Sequence, residues 1–437
     1  APATVKADGA SSALATVAFK DYAGNASEVE ASKVEILLNG VSATVASKGN
    51  GVYEATVPAR TAAATVEVTA SYDGIAVNEK ATVQFVPAIN LAATTITADP
   101  TTVNADGVST STATVTFRDY AGNPIAVDAA KVAVLLDGVA ATVQAGSTGE
   151  FTAIVPARTT AASVIVTASY ERASVGAAKT VAFVPVVNLA ATELSAAPAI
   201  VAADGTSTAT ATLTFKDYAG DAIAVDPGTV SILLGGVAAT VTADGTGVYK
   251  TTVPARTVAE VVTISAKYDN VGVAGAATVT FVPAVDHSAT VVSANPTTVN
   301  ADGVSTSTAS VKFRDYAGNA INVDASKVAL LSDGASLVVT PTATGEYTAT
   351  IPARTTAATV TVTAKYDGAA VVGNAAVEFV PVVNLAATEI TAAPTVVTAD
   401  GVSTSEATLK FVDYAGNAIA VDPAKVEVLL DGTAAAV

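Results

Sequence analysis

Oxygen-bearing side chains recur at fixed places in this sequence, and they are the residues best suited to chemistry. Asp106, Asp119, Asn123 and Asp128 lie close together, and Asp8, Asp21, Asn25 and Glu30 set out the same pattern 98 residues earlier. Asp204, Asp217, Asp302 and Asp315 continue it. A hard cation such as calcium takes about six or more oxygen ligands. Asp8, Asp21, Asp106, Asp119, Asp128, Asp204, Asp217, Asp302 and Asp315 are therefore candidate calcium donors at loop ends. The competing reading is that these carboxylates accept backbone N–H groups of their own turns, as Asp in turns does. No dense run of the form Asp-x-Asp-x-Asp-Gly is present, and turn capping is the reading preferred.

Other chemistries are limited by residue count. There is no Cys, and His287 is the one imidazole, in a column otherwise filled by Leu91, Leu189 and Leu385. A single copy in that column carries no role, and Ser/His/Asp or Cys/His machinery has no material to be built from. Carboxylate pairs for glycoside hydrolysis would need a cleft, yet the same Asp columns return in every repeat without cleft-forming insertions. The chain is not expected to be an enzyme, and no cofactor is expected. Arg60, Arg158, Arg256 and Arg354 each close a Pro-Ala-Arg segment, where pairing with a turn carboxylate is the simplest role. Tyr22, Tyr120, Tyr218, Tyr316 and Tyr414 sit in turns; they either pack over a sheet edge or form an aromatic row for a sugar or filament.

What must position these residues is a repeat. Asp-Tyr-Ala-Gly begins at Asp21, Asp119, Asp217, Asp315 and Asp413, always 98 residues apart. Phe-Val-Pro keeps the same step at Phe85, Phe183, Phe281 and Phe379. Self-similarity at a fixed period marks an array of supersecondary units. We place the repeats at 1–92, 93–190, 191–288 and 289–386, with a partial fifth at 387–437. Half a sandwich cannot bury its sheet, so a longer natural chain, or an outside partner for the last segment, is expected. The start at Ala1-Pro2, without Met, fits either a removed leader or a fragment.

Within a repeat, apolar residues alternate. Ala113, Val115 and Phe117 share one face, with Thr114, Thr116 and Arg118 on the other, as do Ala15, Val17 and Phe19 in the first repeat. Val66, Val68 and Ala70 match Val164, Val166 and Ala168, while the column between them varies among Glu67, Ile165, Thr263 and Thr361. Gly and Asn mark turns every 8 to 15 residues. The pattern predicts an all-β chain: tandem immunoglobulin-like β-sandwich domains in an elongated array, about seven strands each.

Composition narrows the partners. The net charge is −17 and no basic patch offsets it, so nucleic acid is excluded as a partner. No apolar stretch reaches the ~18 residues of a membrane span, so no membrane insertion is expected in this portion. Without thiols each unit folds on packing alone.

Ala-Asp-Gly, a Ser/Thr-rich alternating strand, Asp-Tyr-Ala-Gly-Asn, Gly51-Val52-Tyr53, Val-Thr-Ala and a closing Val-x-Phe together resemble the bacterial Ig-like repeats of the invasin and intimin type, along the whole chain. That resemblance implies an exported protein on the bacterial cell surface, whose repeats form a stalk holding a distal adhesive domain. Related repeats also occur in surface-layer and surface-filament proteins.

The segments between repeats, from Pro87, Pro185, Pro283 and Pro381, hold no Gly and little Ser, so they do not read as flexible linkers. Ile89, Leu91, Val187 and Leu189 are expected to pack on neighbouring modules, giving a stiff rod that advances roughly 40 Å per repeat. A stalk or spacer is the function expected, its partners being neighbouring modules of the same chain. Two alternatives stay open: a surface-layer or filament subunit in which identical chains pack laterally, and a carbohydrate- or ice-binding array using outward Thr such as Thr112, Thr114 and Thr116.

Overall fold

The computed structural model describes residues 3–437. The chain divides into two compact units, residues 1–193 with 214–225 and residues 194–213 with 226–437. Each is described in its own terms.

In the first unit, the second repeat shows the plan. Its nine strands are β1 (Thr95–Asp99), β2 (Thr102–Asn104), β3 (Ser111–Thr116), β4 (Val132–Leu136), β5 (Val139–Ala140), β6 (Gln144–Ala145), β7 (Glu150–Val155), β8 (Ala162–Tyr170) and β9 (Ala173–Val184). They form two sheets, ordered β1-β3-β7-β6 and β2-β9-β8-β4-β5. Two more strands than expected appear in the edge hairpins and in a split first strand. The first strand breaks at Pro100, whose missing N–H cannot serve a ladder, and its halves join different sheets. β1 pairs antiparallel with β3, while β2 pairs parallel with β9, Val103 opposite Phe183.

Alternation dictates the core. Ala113, Val115 and Phe117 are fully buried, and Val164, Val166 and Ala168 face them from the other sheet. Ile165, between them on β8, is exposed, as its varying column predicts. The first repeat builds the same larger sheet from 4–7, 81–87, 64–72, 34–38 and 41–43, around Val5, Ile36, Val66 and Phe85.

The second unit repeats the plan. Strands 200–203, 277–283, 260–268, 230–234 and 237–239 form one larger sheet, and 298–300, 375–380, 358–366, 328–332 and 335–336 form another. Pro341 lies inside a strand; Thr340–Ala343 is an edge strand whose register slips there, which leaves room for a residue without N–H. In the last segment, 389–393 pairs with 406–410 and 428–430 with 433–435. Its apolar columns stay open: Ile390 is exposed where Ile96 is buried, and Leu409, Phe411, Val426 and Val428 line a trough of 800 Å³.

Candidate functional site

The repeated Asp residues fall into three kinds of turn. Asp8 accepts from the N–H groups of Ala10 and Ser11 and from the Ser11 hydroxyl, at 2.6 to 2.9 Å. Asp106, Asp204, Asp302 and Asp400 do the same with Ser109, Ser207, Ser305 and Ser403. These donors stabilise the ionised carboxylate: Ser11 and Ala10 lower Asp8 to about 2, Ser109 and Val108 lower Asp106 to about 2, and Ser403 and Val402 lower Asp400 to about 2. Asp204 is lowered by Ser207 and Thr206, and Asp302 by Ser305 and Val304.

A carboxylate whose folded value is depressed stabilises the fold above its unfolded value and ceases to do so as pH falls through the folded one. The ordinary value is 3.8 and the folded one about 2. The melting midpoint is therefore expected to hold between pH 7 and 4 and to fall between about 4 and 2; circular dichroism melts across that range test it, and a midpoint that starts falling near pH 6 would contradict it.

The second kind is the Asp-x-x-Gly turn. Asp119 accepts from Ala121 N and Asn123 N, and Asp21, Asp217, Asp315 and Asp413 repeat this pair of bonds. The third is a cap: Asp128 accepts from Ala130 N at the start of the 3-10 turn Ala129–Lys131. The candidate calcium donors thus stay in separate turns, their oxygens engaged locally. Among the described residues no three His, Asp or Glu side chains gather closely enough to hold an ion. Addition of a chelator is expected to leave the unfolding midpoint unchanged, and a drop of several degrees would return calcium to the account.

Around the Asp-x-x-Gly turn a further set of contacts recurs. The connecting segment bridges to it, Ile89 opposite Asp119, Val187 opposite Asp217, Val285 opposite Asp315 and Val383 opposite Asp413. The next residue along donates its N–H to the carbonyl before the turn Asp. Asn90 N to Arg118 O, Asn188 N to Lys216 O, Asp286 N to Arg314 O and Asn384 N to Val412 O are each 2.8 Å. Thr94, Thr192 and Thr290 are buried and donate their hydroxyls back to the carbonyls of residues 90, 188 and 286. Ile89 and Leu91 pack on the second repeat's core and Val285 on the fourth's.

The first repeat supplies a built-in comparison, because among the described residues no such segment lies over its turn. Asp21 is exposed and Tyr22 fully so. Asp119, Asp217, Asp315 and Asp413 are 6 to 7% exposed, and Tyr120, Tyr218 and Tyr316 are 41% exposed. Identical turn residues, differing only in what precedes them, pass from solvent to partial burial. Each of these Tyr residues thus loses more than half of its exposure where a connecting segment bridges to the turn.

Beneath the turn lies an aromatic trio. Phe117 meets Phe151 edge-on at 5.7 Å and Tyr170 at 5.5 Å. Phe313 meets Tyr347 and Tyr366 in the same way. The Tyr347 hydroxyl accepts from Val323 N at 3.1 Å and donates to Val323 O at 2.6 Å, pinning the loop after the turn, and Tyr53 holds Val29 likewise. Sequence reading missed this trio, although the 98-residue recurrence of Tyr72, Tyr170, Tyr268 and Tyr366 marks one of its members.

The arginines do more than pair with turn carboxylates. Arg158 lies 3.6 Å from Asp137 and Arg354 3.2 Å from Asp333, both in hairpin turns. Arg256 pairs instead with Glu260, because Gly235 replaces the hairpin Asp. Common to all four is a ring: Arg60, Arg158, Arg256 and Arg354 sit 5.9 Å over Phe85, Phe183, Phe281 and Phe379. His287 takes the Leu column's place beside Tyr366, its carbonyl accepting from Val372 N at 2.9 Å.

These features recur with the period of a known domain family. The family model described as "Invasin, domain 3" matches residues 1–88, 90–186, 188–284 and 286–382. The chain belongs to the invasin domain 3 family. No curated protein matches it. Among solved structures, the Escherichia coli adhesin FdeC is 22% identical over 68% of this chain and 100% of its own, with a TM-score of 0.42. Invasin, a bacterial integrin-binding protein, is 20% identical over 88% of this chain and 81% of its own, with a TM-score of 0.40. InvD of Yersinia pseudotuberculosis is 18% identical over 65% of this chain and 97% of its own, with a TM-score of 0.34. In the invasin-type modules of this chain, the contact between the connecting segment and the turn that follows it recurs at four junctions. Among the described residues no helix is long and apolar enough to cross a membrane.

Proposed function

We propose that this chain is the repeat region of a bacterial cell-surface adhesin, exported, and that its modules form a stiff stalk or spacer projecting a distal domain. The observation that carries this reading is the seam. At each of four junctions a bridge and a 2.8 Å hydrogen bond tie the connecting segment to the next turn, over an Asp that is all but buried. A slack tether would leave those groups to water. Membership of the invasin domain 3 family supports the surface setting. Catalysis has no part in this role. Small-angle scattering tests the stalk: a rod-like particle whose length grows by roughly 40 Å per added module is expected, and a freely jointed or compact profile would reject it.

A second reading has one observation in its favour. Val41, Val139 and Val237 occupy one hairpin column and are 70 to 72% exposed, each lining a surface groove of its module. A periodic apolar column suits lateral contact between identical chains in a lattice or filament. Negative-stain microscopy separates the two: single thin particles favour the stalk, and sheets or thick fibres favour lateral packing.

A further inference from the structure

Two ends of a module meet in one strand pair. In the second repeat β2, close to the incoming chain, lies parallel to β9, from which the chain leaves. Ala182 N donates to Thr101 O and Ala105 N to Val184 O, both at 2.8 Å. The first, third and fourth repeats hold the same pair in the same sense, 4–7 with 84–87, 200–203 with 280–283 and 298–300 with 378–380. Matching bonds at 2.8 Å recur as Gln84 N to Ala3 O, Thr280 N to Ala199 O, and Glu378 N to Thr297 O.

The side chains behind these bonds are equally constant. Val5 faces Phe85, Val103 faces Phe183, Val201 faces Phe281 and Val299 faces Phe379, all buried. Over each Phe lies the Pro-Ala-Arg guanidinium, at 5.9 Å. The strand pair is thus closed from water on the core side by Val and Phe and covered at the ring by Arg.

From this geometry we infer that the parallel pair is a mechanical clamp, which makes each module resist being pulled out along the chain. Tension drags β2 back toward its N-terminus and β9 forward toward its C-terminus. Because the strands are parallel, this load runs along them, and every bond of the pair is strained together. Tension applied across the pair from one end would instead open the bonds in turn. The simultaneous route must break several bonds in one event and the sequential route only one at a time, so the first has the higher barrier, and forced unfolding is governed by that barrier rather than by equilibrium stability. The inference gives the proposed stalk its means of holding under tension; the clamp itself stands or falls separately from the stalk.

The test is to pull one module in two directions. The chain has no Cys, so introduced thiols are unique handles. Ala92→Cys with Ala190→Cys lets optical tweezers load the second repeat end to end, in shear. Val108→Cys with Ala190→Cys loads the same pair from the end where β2 and β9 both finish, so that it unzips. All three sites are exposed, and thermal melts of each double variant check that stability is unaltered. The end-to-end pull is expected to need at least about threefold more force than the unzipping pull at equal loading rate, with an extension of about 300 Å for the 98-residue unit. Equal forces in the two directions, or a weaker end-to-end pull, would overturn the clamp. Neither result bears on whether the whole chain is a rod in solution, which scattering decides.

Discussion

Gly149→Ala is expected to destabilise the second repeat by about 3 kcal/mol, lowering its melting midpoint by roughly 15 °C. Gly149 has φ +74, and a Cβ placed there would stand 2.6 Å from Ile125 O and 2.9 Å from Phe117 O. Neither carbonyl can retreat freely. Phe117 O accepts from Ile125 N, and Phe117 N donates to Gly149 O at 2.8 Å, so the glycine sits inside the bonds that fasten the Asp-Tyr-Ala-Gly loop to β7. Gly122 provides the control. It too has positive φ, at +87, but nothing lies within 4 Å of its notional Cβ. Gly122→Ala should therefore cost only the backbone strain, about 1 kcal/mol. Calorimetry of both variants, with hydrogen exchange to localise the loss to residues 117–155, makes the comparison. Equal costs would mean that crowding at Gly149 is relieved by movement the packing does not suggest.

Gly51 and Gly345 occupy the same column, and a Cβ at either would also meet backbone at 3.0 Å or closer. The recurrence of this glycine was visible in the sequence, and its turn character was legible. Its crowding was not, because the atoms that crowd it come from a loop some 24 residues earlier in the chain. The same division runs through the rest of the molecule. Alternation in Ala113, Val115 and Phe117 gave the inward face, since period two has one geometric meaning when the opposite column is Thr and Arg. The free variation at Glu67, Ile165, Thr263 and Thr361 gave the outward face. What alternation leaves open is which strand lies beside which. Nothing in the residues 102–104 announces that they leave the sheet of β1 and join β9 in parallel.

The candidate site was legible in the same partial way. The Asp columns stood out, and their preferred role as turn acceptors matches the bonds made by Asp8, Asp106 and Asp119. Their separation into three kinds of turn depended on tertiary placement. Pairing of the Pro-Ala-Arg guanidinium with a turn carboxylate holds at Arg158 and Arg354 only. The invariant partner is a Phe ring on a strand far along the chain, and apolar partners leave no charge signal in a sequence. Packing of the connecting segments was expected from Ile89 and Leu91, which would otherwise be exposed, and their contact is with the core of the module that follows.

That last contact leads to the second large effect. Asp315→Ala is expected to cost the fourth repeat about 3 kcal/mol, because two N–H groups, Ala317 and Asn319, lose an acceptor carboxylate that is itself buried beneath the preceding segment. Asp21→Ala removes the same two bonds from the first repeat, where the turn stands in water and solvent can replace the carboxylate. Its cost should be clearly smaller. The difference between the two variants measures what the seam adds, with the turn's own chemistry cancelled. Hydrogen exchange supplies the independent readout: at Asp286 N, which donates to Arg314 O, protection should fall in Asp315→Ala and stay as it is in Asp21→Ala. If the two substitutions cost the same and Asp286 N keeps its protection, the burial of this turn contributes nothing to joining one module to the next, and the stiffness proposed for the stalk loses its structural source.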